Sequence, residues 1–186
     1  MDALFDTAPD FSTPIAVLKH CHDRIRKQLA TLDRLPAHLA AHGADAQARG
    51  AATAVLRYFD SAAPHHHQDE EQDLLPMLRA SARDADAIAL AALLPELLDE
   101  HQRMDALWQQ LRSGLEAVVA GDADQMSADT IAPFAAMYQQ HMDKEESTIA
   151  PMAKRLFSAE QMTRLGDAMQ QRRGITPTVR NHHVDR

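Results

Sequence analysis

Apolar residues recur at alternating spacings of three and four along most of the chain, the signature of helices that each bury one face. The first run carries Ile15, Leu18, Ile25, Leu29 and Leu32. Ser12 or Thr13 is placed to cap it and Pro14 to occupy its first turn, so a helix is predicted to about residue 41, with Pro36 kinking or ending it early. His42-Gly43-Ala44-Asp45 reads as a loop. A second helix is predicted over 46–78 with a bend at Pro64, and a third over 86–120, perturbed at Pro95 and stopped by Gly121-Asp122. The fourth opens near 127–130 and reaches about 157, interrupted near Pro151. Ser158-Ala159-Glu160-Gln161 is a capping-box pattern opening a last helix that ends at Gly174.

Four long helices joined by short loops predict an all-α, up-down-up-down antiparallel four-helix bundle with a short additional C-terminal helix. Residues 12–174 form one domain in this reading, and 175–186 a flexible tail. The scarcity of aromatic (4%) and β-branched residues agrees with helices rather than sheet. Nineteen basic against 27 acidic residues give a net charge of −8, which leaves no general attraction for nucleic acid or an anionic membrane. The longest apolar stretch, 87–98, is broken by Pro95 and Glu96 and is too short to span a bilayer. The acidic N-terminus lacks the basic start of a secretory signal, and the single cysteine, Cys21, excludes an internal disulfide, so a cytoplasmic location is expected.

Eleven histidines stand out in 186 residues, and an internal repeat organises them. His66-x-x-x-Glu70, with Pro76 six residues beyond the glutamate, returns at an offset of 75 as His141-x-x-x-Glu145 and Pro151. The helix preceding each copy also corresponds: Cys21-His22-Asp23-Arg24-Ile25 lies over Glu100-His101-Gln102-Arg103-Met104 at an offset of 79. Positions four apart share a helix face, so each histidine points with its glutamate. His22 lies in the apolar seam of the first helix, whereas the stripe through His20 meets Arg24 and Lys27. Among His65, His66 and His67, only His66 shares its stripe with Val55, Phe59 and Leu74, so His65 and His67 are expected at the surface. His101 shares its stripe with Leu97, Met104 and Trp108, and His141 shares its own with Phe134, Tyr138 and Met152.

Four seam histidines and two seam glutamates therefore converge on the bundle interior, with no seam Lys or Arg to neutralise the carboxylates. Burying two unpaired carboxylates costs several kcal/mol each, and metal ions supply the missing positive charge. Imidazole with carboxylate suits iron, zinc or manganese, and six ligands exceed what one tetrahedral ion takes. Two ions bridged by the carboxylates, each keeping a place for solvent or a small ligand, fit the set. Glu71 and Glu146 read either as solvated groups or as acceptors for imidazole N–H. Tyr138 and Trp108 read as core, Tyr138 with the alternative of reaching the site; Cys21 points away from it and reads as a packing residue, with a redox role as the alternative.

The order His22, His66-x-x-x-Glu70, His101, His141-x-x-x-Glu145, with a proline after each glutamate, resembles the hemerythrin-like (HHE cation-binding) family over about residues 15–157. The resemblance implies a four-helix bundle with two non-haem iron ions, oxo- or hydroxo-bridged. His22 and His66 would serve one iron, His101 and His141 the other, and Glu70 and Glu145 would bridge them. Oxygen-carrying members have a fifth histidine where this chain has Asp105, and an aspartate five residues beyond the last histidine where this chain has Glu145 four beyond. The chain thus resembles the four-His, two-Glu branch, linked to sensing or iron handling rather than bulk oxygen transport. The function expected is binding or sensing of O2, NO, peroxide or iron. The alternatives are a di-iron enzyme consuming peroxide or another small oxidant, and an iron store. No nucleotide motif supports the enzyme.

Overall fold

The computed structural model describes residues 10–175, and the expected tail falls largely outside them. All regular structure among these residues is helical: α1 (Pro14–His42), α2 (Ala46–Arg57), α3 (Ala63–Asp69), α4 (Leu75–Ser81), α5 (Asp84–Ala120), α6 (Ala128–Lys144), α7 (Ala150–Leu156) and α8 (Ala159–Arg172). They make four rods and a short fifth helix. The first rod is α1, the second runs α2 to α4, the third is α5, and the fourth is α6 with α7. Each rod packs on the next and the fourth closes on the first, which is the antiparallel four-helix bundle. None of the described helices is long and apolar enough to cross a membrane.

The rod ends obey local chemistry. Asp45 accepts from the Ala48 N–H at 2.8 Å to start α2. Gly121 ends α5 in a left-handed conformation (φ 82°) that a side chain would disfavour. Ser158 and Gln161 form the reciprocal capping box expected of α8.

The prolines behave otherwise than predicted. Pro36 and Pro95 sit inside α1 and α5, and neither ends its helix. The second and fourth rods run on through their prolines by way of π turns at Tyr58–Ala62, Glu70–Leu74 and Glu145–Ile149. In each, the N–H after the turn reaches back five residues: Ala63 to Tyr58, Leu75 to Glu70, Ala150 to Glu145. Each of these residues is followed by a proline, Pro64, Pro76 or Pro151. Proline cannot donate the next helical hydrogen bond and crowds the carbonyl four residues back, so a wider turn before it relieves the clash. Proline permits this widening without dictating it, since Pro36 and Pro95 have none.

The core is in two parts. One apolar cluster runs from Ile25 to Leu39 in α1 and includes Phe59, Trp108, Phe134 and Tyr138. The other gathers Ile15, Leu18, Leu74, Leu78, Leu97, Ile149 and Met152 under α8. His22 lies between the two clusters on α1, and the buried polar residues of the other rods lie at the same level. α8 is fastened by charge. Asp69, fully buried, pairs with Arg172 and, at 2.6 Å, with Arg173. At Gly166 the backbone of Phe11 comes so near that a Cβ would stand 2.0 Å from its carbonyl oxygen.

Candidate metal centre

Between the two apolar clusters, His22, His66, Glu70, His101, His141 and Glu145 are all at most 3% exposed. α1 supplies His22, α3 His66, α5 His101 and α6 His141. The two glutamates are the first residues of their π turns, Glu70–Leu74 and Glu145–Ile149. The side chains form two overlapping groups whose ligand atoms lie within 4.8 Å of one another: His22, His66, Glu70 and Glu145, then Glu70, His101, His141 and Glu145.

The carboxylates span the groups. Glu70 puts Oε1 3.1 Å from His66 Nε2 and Oε2 3.4 Å from His101 Nε2. Glu145 puts Oε1 3.4 Å from His141 Nε2 and Oε2 3.1 Å from His22 Nε2. These contacts are close without being aligned as hydrogen bonds: His22 Nε2, His66 Nε2, Glu70 Oε2 and both Glu145 oxygens have no hydrogen-bond partner. Ligands held at about 2.1 Å from one ion stand roughly 3.0 to 3.4 Å apart, and the distances here match such edges.

The outer ring nitrogens fix how three of the rings point. His22 Nδ1 lies 2.9 Å from Glu146, His101 Nδ1 2.6 Å from Glu71, and His141 Nδ1 2.9 Å from Glu100. Each carboxylate can only accept, so each Nδ1 donates and each ring turns its Nε2 inward. His101 Nε2 and His141 Nε2 then face each other at 2.9 Å, too close for both to carry a proton. A cation beside both makes that approach favourable.

Electrostatics agree. Burial drives the Glu70 carboxyl well above its usual range and the Glu145 charge adds to this. Burial also opposes the Glu145 charge, but without a metal the protons that this carboxylate draws onto His141 and His22, against their own burial, outweigh it and hold that carboxyl well below its usual range. Without a cation, the buried pair keeps one charge of two. Burial depresses His66 far below the ordinary imidazole value, so it stays a neutral donor of its lone pair. No Lys or Arg touches Glu70 or Glu145 among the described residues; the nearby cations are spent further out, Arg26 on Glu146 at 2.8 Å and Lys144 on Glu100. The donor set, the unpartnered inward atoms and the charge deficit all fit metal ions.

The structure therefore brings together all six residues singled out in the sequence. Glu71 and Glu146 take the imidazole-holding alternative. Glu100 was missed; its only signal was its place directly before His101, on the same buried side. Tyr138 is core, packed on Phe59 and Phe134 at ring separations of 5.5 and 5.0 Å. Asp105 stays exposed, outside the cluster.

His67 is a correction. Expected at the surface, it is 7% exposed and stacks on His101 at 4.1 Å with the rings 9° from parallel. The π turn at Tyr58–Ala62 adds a residue ahead of it and rotates the following face by about 100° less than α-helical counting assumes. Ala63 follows that turn and Leu78 follows the one at Glu70–Leu74, and both are buried.

A cleft of about 310 Å³ leads to the cluster between α1 and α7. Its walls include Ile15, Leu18, Leu74 and Ile149, and it reaches His22, Glu70 and Glu145.

A Haemophilus influenzae protein described as uncharacterized is 28% identical over 165 residues, which span 89% of this chain and 92% of that protein. The hemerythrin HHE cation-binding domain matches residues 13–153, three-quarters of the sequence and every residue of the cluster. Fold, cluster and match together place this chain in the hemerythrin HHE cation-binding domain family.

Proposed function

We propose that the chain holds two non-haem iron ions and binds a small oxidant or diatomic ligand, O2, NO or peroxide, at the site they form. His22 and His66 hold one ion, His101 and His141 the other, and Glu70 and Glu145 bridge them. The carrying observation is the His101–His141 approach at 2.9 Å between two inward nitrogens, in rings that already donate through Nδ1 to Glu71 and Glu100. The iron pair supplies reversible redox chemistry and open coordination positions.

The remaining work belongs to the chain. Glu71, Glu100 and Glu146 fix the tautomer and orientation of three imidazoles and raise their basicity. Ile15, Leu18, Leu74 and Ile149 make a passage that admits a small apolar molecule while limiting water. An access route ending on His22, Glu70 and Glu145 favours a site that meets an outside ligand over a closed store. The test is anaerobic reduction of the iron-loaded chain followed by O2 or NO. A stoichiometric, saturable change in its visible spectrum supports ligand binding. Sustained peroxide loss above that of free iron, abolished in Glu70→Ala, would instead make it an enzyme.

A further inference from the structure

The internal repeat maps one half of the bundle on the other, and the site breaks that symmetry at one place. At offsets of 79 and 75, His22 corresponds to His101, His66 to His141, Glu70 to Glu145 and Glu71 to Glu146. The hydrogen bonds from His22 to Glu146 and from His101 to Glu71 are thus equivalent. The third bond, His141 Nδ1 to Glu100, has a counterpart: 141 − 75 gives His66, and 100 − 79 gives Cys21. Where one half has a carboxylate the other has a thiol, and His66 Nδ1 is buried with no partner.

A second exchange accompanies the first. Lys144, which neutralises Glu100, corresponds to Asp69 (144 − 75), and Asp69 is paired instead with Arg172 and Arg173 of the C-terminal segment. Where one half has a Glu–Lys pair, the half under α8 has a Cys and an Asp–Arg cluster. A thiol is a weak acceptor and gives His66 no counterpart of the Glu100 carboxylate. The cleft opens on the same half, reaching His22 but neither His101 nor His141.

We propose that the two metal positions are unequal: the one on His101 and His141 fills first and holds tightly, and the one on His22 and His66 is labile and exchanges through the cleft. This rests on the two-metal reading above. Glu100 is a positioning residue for the tight position, and Cys21 marks where the labile one lacks its equivalent. Removing such an outer partner lowers metal affinity by about 10- to 100-fold, which sets the expected gap between the positions.

The experiment is an anaerobic titration of the metal-free full chain with cobalt(II), followed by its visible bands against a competing chelator. Two steps of one ion each, at least tenfold apart and with different band shapes, are expected. Glu100→Gln weakens the first step by tenfold or more and narrows the gap, Glu100→Asp restores part of it, and the thermal stability of the metal-free Glu100→Gln chain stays near wild type. Two ions taken up with equal affinity overturn the inequality and leave the two-metal reading intact. A gap unchanged by Glu100→Gln overturns the assigned cause. No cobalt uptake at all defeats the two-metal reading itself.

Discussion

Glu70→Leu separates a residue kept for metal from one kept for the fold. Glu70 is 1% exposed, its Oε2 has no partner, and its nearest charged neighbour is another carboxylate. In the metal-free chain it either holds a proton against the cost of neutral pH or stays charged in an apolar interior. Replacing such a buried ionic group with an apolar residue of similar size is neutral or stabilising by about 1–4 kcal/mol. In a chain of this size each kcal/mol moves Tm by about 2–4 °C, so a gain of ~2 kcal/mol raises the metal-free Tm by roughly 4–8 °C. Metal reverses the order. A ligand at 100 times its Kd stabilises the native state by about 2.7 kcal/mol, and the variant forfeits most of this because Glu70 belongs to both groups. Urea and thermal unfolding of both proteins, with chelator and with ferrous iron, read the four values. A metal-free variant less stable than metal-free wild type by 1 kcal/mol or more would refute the reasoning, because Glu70 would then serve the fold directly.

His66→Ala and His141→Ala lower metal content and Tm together, whereas His20→Ala leaves both near wild type, by elemental analysis and calorimetry. His67→Ala keeps the metal but costs about 1–3 kcal/mol in urea unfolding, from the cavity left against His101. Asp69→Ala strands Arg173, leaves Arg172 only Asp73, and costs about 3 kcal/mol or more, read by the same method; an unchanged midpoint would mean that α8 docks without the Asp69 cluster. Moving from pH 7 to pH 5 releases metal as protons compete for the imidazoles, and a metal content constant over that range would contradict histidine ligation.

The helices and the six-residue cluster were legible because both follow from counting. In α1 the stripe Ile15, Leu18, His22, Ile25, Leu29, Leu32 is buried throughout, since no wide turn disturbs the 3.6-residue period. His66 and Glu70 lie four apart within one undisturbed turn, and the His-x-x-x-Glu repeat needs nothing longer. Counting failed where a residue is inserted. His67 follows the π turn at Tyr58–Ala62, and no propensity separates a proline that widens a helix from Pro36 or Pro95, which do not. Glu100 and Asp69 look like ordinary surface acids in the sequence. Their partners, His141 at 41 residues and Arg173 at 104, are brought near only by bundle closure and by α8.

The measurement closest to the central claim is the metal content of untagged, freshly purified protein together with its visible spectrum. Two irons per chain with the absorption of a bridged ferric pair is the result predicted. A chain that purifies with no metal, or with a single zinc, and takes up no second ion when iron is supplied would contradict it.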